Sequence, residues 1–336
     1  MIFATHLKKL CEEYAIGDYV AHREIKEGIL NQNYFLKTTQ GNYFVKSVRE
    51  KSKDRIVTTF EVETYMKSQG IPAVVMLPTK AGRISVTMGD EALTLYPFIE
   101  SDRSHSYLNA DFRKMGEMLA KIHRAGSRKL PDSLRDVKKF VQPESRVTAE
   151  RLKEYKNEIL GKHEQDETDR LFVNYIDFKL SIIPRLESVE LPNDTLTHGD
   201  YHPGNILFEK KSRKIIGVCD WEKAEIAPRS YELARSLFYT CFNDVGKIEG
   251  LLEHSREFCS GYFSVYPMDA EEMSRGLALR LSKMALSSWI EETYYQRHDD
   301  RANRFIKNEM HILNLAVNKK LLDTVKGSAL NFEMPD

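Results

Sequence analysis

The chain has no net charge, because fifty Lys and Arg balance fifty Asp and Glu over 336 residues. That removes the long-range field with which a protein gathers nucleic acid or an anionic membrane, and neither is an expected partner. Cysteine is sparse as well. Cys11, Cys219, Cys241 and Cys259 stand far apart, with no Cys-x-x-Cys pair and no His cluster at zinc spacing, so neither a metal knuckle nor a disulfide framework is indicated. Eighteen apolar residues never run together, and no charged segment near Met1 leads into an apolar run of signal-peptide length. The expected compartment is the cytoplasm. Repeats and low-complexity tracts are missing too. What remains, 41% hydrophobic and 30% charged residues, is the composition of a soluble globular protein in one large domain or two lobes.

One stretch carries chemistry. Ile206-Leu207-Phe208 and Ile215-Ile216-Gly217-Val218 are short apolar runs flanking the polar turn 209–214, which predicts a β-hairpin. Asp200 and Asn205 precede its first strand and Asp220 follows its second, so all three come to one end. Phosphoryl transfer of the kinase class needs such a set: an Asp for the proton of the attacking hydroxyl, an Asn for Mg²⁺ and a second Asp for metal bridging the phosphates. The competing reading is that Asp200 and Asn205 cap a turn. The spacing favours the first, since His198, Asp200 and Asn205 keep the intervals of the protein-kinase catalytic loop.

The run His198-Gly199-Asp200-Tyr201-His202-Pro203-Gly204-Asn205, followed by Asp220-Trp221-Glu222, resembles the aminoglycoside-phosphotransferase, choline-kinase and homoserine-kinase-like superfamily, small-molecule relatives of the protein kinases. The resemblance implies an α+β, two-lobed, protein-kinase-like fold. Residues 1–100 would form a nucleotide-binding lobe of antiparallel sheet plus helix, 101–326 a mainly helical catalytic and acceptor-binding lobe, and 327–336 a disordered tail. It also implies ATP and Mg²⁺ as cofactors and a small-molecule hydroxyl as acceptor: an amino alcohol, hydroxy amino acid, amino sugar or aminoglycoside. Asp200 would take the hydroxyl proton, His198 orient the loop, and Asn205 and Asp220 hold Mg²⁺. Gly28, Asn31 and Asn33 would order a loop over the triphosphate, although the segment alone reads equally as a hairpin turn. Trp221-Glu222 replaces Phe-Gly, and no Ala-Pro-Glu segment or activation loop follows, which argues against a regulated protein kinase. Two alternatives remain open: a silent spore-coat-type relative, and a stress-response protein serine/threonine kinase.

Periodicity supplies the frame. It predicts a helix over 2–14, strands over 19–25, 32–38 and 43–48, and a helix over 54–69 stopped by Gly70-Ile71-Pro72. Strands over 74–77, 83–87 and 92–99 would complete a five- to six-stranded lobe. Helices follow over 109–124, 147–160 and 167–186, then, with Ser230 as a cap, over 231–242, 246–262, 269–296 and 299–325. Lys46 lies mid-strand in Tyr43-Phe44-Val45-Lys46-Ser47-Val48, with Val45 before it and Val48 two positions after it, which suits an exposed face or an ion partner. The motif at 198–222 favours a phosphate-holding Lys. Its partner would be Glu61 or Glu63, which diverge by about 200° on a helix; resemblance favours Glu61. The run from Leu93 to Glu100 resembles the linker that joins the lobes in this superfamily, which implies that Tyr96, Pro97, Phe98 and Ile99 line the adenine slot, although the run also suits a buried strand. By the same resemblance His202, Trp289, Glu291 and Glu292 are candidate acceptor contacts, though an aromatic stripe at helical spacing also suits a core and His202 also suits a structural role.

Overall fold

The computed structural model describes residues 4–25, 32–49, 53–102, 106–142, 144–186, 189–241 and 248–317. Gly28, Asn31 and the expected tail at 327–336 therefore lie outside the described residues. The chain is mixed α+β and divides into two compact units. Residues Met1–Tyr107, Lys121–Lys138 and Leu196–Glu225 make the first, and Leu108–Ala120, Lys139–Thr195 and Ile226–Asp336 the second.

The first unit begins with α1 (Ala4–Tyr14) and then folds β1 (Tyr19–Ile25), β2 (Gln32–Thr38), β3 (Gly41–Arg49), α2 (Lys53–Ser68), β4 (Val86–Met88) and β5 (Glu91–Pro97). The five strands form one antiparallel sheet in the order β1-β2-β3-β5-β4. Alternation along β5 explains why it is central. Leu93 and Leu95 point to Leu7, Leu10 and Tyr14 of α1, while Ala92 and Tyr96 point to Ile56 of α2 and Met76. Both faces are covered, so the strand lacks the polar alternation of a half-exposed one. The strand expected over 74–77 is instead an extended bridge: Val74 N donates to Val218 O and Leu77 N to Leu95 O. Its neighbours lie on two different strands, so no continuous ladder forms. Strand β6 (Thr195–Thr197) leads into the 198–205 loop, and β7 (Ile206–Phe208) pairs with β8 (Ile215–Val218) as the predicted hairpin.

Helix α3 (Asn109–Gly126) runs from the second unit into the first. The second unit contains α4 (Ser145–Leu160), α5 (Glu167–Ile182), α6 (Arg229–Cys241), α7 (Ile248–Val265) and α8 (Ala270–Ala285), then the turn α9 (Trp289–Glu291), a π-helical turn at Glu292–Gln296, and α10 (Ile306–Val317). Asp166 and Asp169 form a reciprocal capping box on α5, and the Asp269 side chain accepts from Glu272 N to start α8; both satisfy amides that the helix leaves open. Ser230 is not a cap but the second residue of α6. The single helix expected over 269–296 breaks at Leu286-Ser287-Ser288, which redirects everything after it. No described helix is long and apolar enough to cross a membrane.

Helices α3 and α7 approach through glycine. A Cβ on Gly116 would lie 1.9 Å from Phe258 O, and one on Gly261 2.0 Å from Arg113 O. Neither neighbour can yield without moving backbone. Gly261→Ala should therefore lower the unfolding free energy by about 1–3 kcal/mol, read by urea denaturation, whereas Gly161→Ala, whose nearest neighbour is at 3.3 Å, should change it far less.

Candidate functional site

The loop after β6 is held by its own histidine. His198 is buried with its ring against Trp221, 4.4 Å between centroids. Its Nε2 lies 3.0 Å from Cys219 O, and its Nδ1 accepts from Asp200 N at 3.2 Å. A carbonyl on one side and an amide on the other admit only the neutral Nε2–H tautomer, so the ring locks 198–200 to the strand leading into Asp220. Gly199 has φ +73°, and a Cβ there would lie 1.8 Å from Lys223 O, which requires glycine. Asn205 donates its side-chain amide to Asp200 O at 2.9 Å. That bond commits the nitrogen and leaves Oδ1 as the end able to face a cation.

Asp220 arrives from β8 with φ 65° and ψ 58°, a left-handed conformation uncommon for a residue with a side chain. It turns the carboxylate toward Lys46. Lys46 Nζ lies 2.8 Å from Asp220 Oδ1 and 2.7 Å from Glu222 Oε1. Burial pushes the ammonium down, but the two carboxylates outweigh it and leave its pKa above the usual range; Lys46 is charged. The ammonium occupies the point on which both acids converge, which is the test of whether these residues suit a divalent cation. They do: two carboxylates and an amide oxygen are hard ligands of the kind Mg²⁺ takes. Among the described residues no group of three or more His, Cys, Asp or Glu could hold a metal, and Mg²⁺ usually completes such partial sets with phosphate oxygens and water.

Glu61 is not the residue that meets this centre. It lines a surface groove with Phe60, Thr64 and Tyr65, while Glu63, two positions on, is fully buried. Glu63 Oε2 accepts from Met76 N at 3.0 Å and Oε1 from Tyr96 OH at 3.1 Å. The partners of Lys46 are Asp220 and Glu222 instead, because the short 3-10 turn Trp221–Lys223 brings Glu222 back over the same ammonium. Asn33 pairs with Lys46 in register across β2 and β3, its Oδ1 buried without a hydrogen-bond partner among the described residues.

Of the expected adenine-slot residues, Tyr96 is buried with its hydroxyl on Glu63, and Phe98 N donates to Asn42 O at 3.2 Å. Pro97 is exposed at the strand end. Ile99 packs with Phe44, Leu207 and Cys219 against the Val48–Tyr96 cluster, all four keeping part of their surface open. Sequence reasoning missed Phe44, Leu207 and Cys219. Phe44 could have been found from its place two residues before Lys46, on the same face of the strand. It also missed Lys223, whose Nζ lies 2.9 Å from Asp200 Oδ2 and which follows Asp220 by three positions.

The other expected acceptor contacts are engaged elsewhere. His202 Nδ1 accepts from Gly204 N and caps the turn Pro203–Asn205. Glu291 is fully buried against Lys179, 2.5 Å between charged atoms, and Glu292 pairs with Arg151 at 3.0 Å. Trp289 packs against Phe305 with the rings tilted by 56° and donates to Glu309 Oε1 at 3.3 Å. The break after α8 turns Glu291 inward, which overturns the expectation that it faces an acceptor ammonium.

The model of the phosphotransferase enzyme family matches residues 21–266. Homoserine kinase of Rhodopseudomonas palustris is 25% identical over 300 residues, 86% of each chain. Among solved structures, spectinomycin phosphotransferase in complex with ADP and spectinomycin superposes with a TM-score of 0.65 at 18% identity over 98% of each chain. A microcompartment-associated aminopropanol kinase does so at 0.61 and 12% identity, over 98% of this chain and 99% of the other. These likenesses show the kinase-like fold.

Burial lifts the Glu63 carboxyl from 4.5 to about 8, against the lowering effects of the Met76 amide, the Tyr96 hydroxyl and Lys46. A carboxyl whose pKa is raised on folding contributes stability that is complete below its unfolded pKa and is lost as pH rises through the folded one. Urea denaturation of the wild type should therefore weaken relative to Glu63→Gln as pH rises from 4.5 to about 8. The loss should reach a few kcal/mol, because each pH step of one between the two pKa values is worth about 1.4 kcal/mol. A constant difference across that window would show that Glu63 is ionised throughout.

Proposed function

Because the chain belongs to the phosphotransferase enzyme family, we propose that it transfers the γ-phosphoryl group of Mg²⁺-bound ATP to the hydroxyl of a small molecule. The observation that carries this reading is the joint placement of Asp200, Asn205 and Asp220 with Lys46 at one end of the β7–β8 hairpin. A loose transition state leaves the protein mainly positioning and charge neutralisation to do. Asp200, fixed through His198 and Asn205, accepts the hydroxyl proton as the oxygen attacks. Lys223 holds Asp200 Oδ2 and so fixes which way the carboxylate faces. Lys46 exchanges Asp220 and Glu222 for the α- and β-phosphates. Asp220, Glu222 and Asn205 Oδ1 would hold Mg²⁺, which when bound neutralises charge on the phosphates. Phe44, Ile99, Leu207 and Cys219 offer an apolar wall for the adenine. The homoserine kinase relatives and the aminopropanol kinase neighbour support a small hydroxylated amine or amino acid as acceptor.

The test is ADP release over a panel of homoserine, choline, ethanolamine, amino sugars and an aminoglycoside. Asp200→Asn should cut turnover roughly 10²- to 10⁴-fold and leave Mg·ATP affinity nearly intact by calorimetry; an equal loss of nucleotide binding would make Asp200 structural instead. Lys223→Met removes a charge-assisted bond worth about 1.5–3 kcal/mol, so turnover should fall about 10- to 100-fold at unchanged ATP affinity. Weaker ATP binding with normal turnover would reassign Lys223 to the nucleotide.

A further inference from the structure

On the face of the sheet that carries Lys46, one buried polar atom stands unused. Asn33 Oδ1 has no hydrogen-bond partner among the described residues, although a buried amide oxygen without a donor destabilises a fold. Its neighbours explain why. On β1 it is paired with Ile25, and two positions before Ile25 the exposed Arg23 lies over the Phe35 ring. Phe35, next along β2 on the same face, packs edge-on against Phe98. On β3 the side chains that share this face and come within reach are Phe44, Lys46 and Val48. Of those three only Lys46 carries a donor.

Lys46 stands directly opposite Asn33, a relation in which Cβ atoms lie about 4.5–5.5 Å apart. In the resting protein its ammonium turns instead to Asp220 Oδ1 at 2.8 Å and Glu222 Oε1 at 2.7 Å. Those acids engage two of its three N–H donors. To reach the phosphates of a nucleotide Lys46 has to leave both acids, and its side chain is only 9% exposed, so little water is at hand to replace them. An ammonium in such a place needs three acceptors. Phosphate oxygens supply two, and Asn33 Oδ1 is the acceptor that the sheet holds beside Lys46 for the third.

We infer that Asn33 is a positioning residue for Lys46: its Oδ1 takes an N–H of the ammonium when Lys46 turns from Asp220 and Glu222 to the α- and β-phosphates. This rests on the phosphotransferase reading and deepens it by naming what holds the lysine in its second position. An acceptor left open in the empty protein and filled in the loaded one favours the loaded arrangement, since only a difference between the two states can shift their balance. Asn33 thus acts on nucleotide binding through Lys46, not by touching the phosphates.

Asn33→Leu removes the acceptor at similar shape, and two ligands separate the role of Lys46 from the rest of the site: Mg·ADP and adenosine, which has no phosphate. By calorimetry the variant should bind Mg·ADP about 10- to 100-fold more weakly, the range of one hydrogen bond to a charged group, and adenosine as wild type does. Its urea midpoint should match or exceed that of wild type, because no bond of the empty protein is removed. Lys46→Met should also weaken Mg·ADP, and adding Asn33→Leu to it should cost nothing further, since the two side chains act as one pair. Equal weakening of Mg·ADP and adenosine would make Asn33 a structural residue. An undiminished effect of Asn33→Leu in the Lys46→Met background would mean that Asn33 touches the phosphates itself. Either result refutes the positioning role while the phosphotransferase reading stands. Wild-type protein that binds Mg·ADP no more tightly than adenosine would sink that reading, and the role of Asn33 with it.

Discussion

The first unit depends on one ammonium group. Lys46 reaches from the middle of the sheet to two acids that lie more than 170 residues further along the chain, and through them it fixes where the β7–β8 hairpin meets β3. Three charges, two negative and one positive, converge on an ammonium whose side chain is only 9% exposed, with Glu222 at 19% and Asp220 at 40%, and the buried ammonium is the member most costly to leave unpaired. The two carboxylates outnumber the one ammonium, so the resting centre keeps a surplus of negative charge that a divalent cation would offset.

Much of this unit was legible because its information is local. The hairpin follows from two apolar runs around a polar turn, and the His198–Asn205 interval is a fixed spacing that survives any folding of the remainder. Lys46 was ambiguous alone and became readable only beside that interval. Glu61 and Glu63 could not be separated by periodicity, since both carboxylates sit on one helix and the choice is made by Tyr96 and the Met76 amide, which approach from other elements. Glu222 and Lys223 were passed over for a related reason: the 3-10 turn that returns them to Lys46 and Asp200 has no sequence period of its own.

The second unit was harder to read. The texture after Asp269 continues across Leu286-Ser287-Ser288 without glycine or proline, so the break there has only a weak signal, and one missed break rotates every later side chain. That is why Trp289, Glu291 and Glu292 belong to packed and paired clusters. Tertiary packing, not local propensity, decided their place.

The left-handed backbone at Asp220 sets an unusual condition on that position. Glycine enters this region without strain but brings no carboxylate, asparagine tolerates it but carries no charge, and glutamate has the charge but fits the backbone less readily. Conformation and electrostatics are separate demands that among the common residues aspartate alone meets together. Drift at this site is therefore blocked twice over: a substitution that keeps the chain's path loses the charge, and one that keeps the charge strains the path.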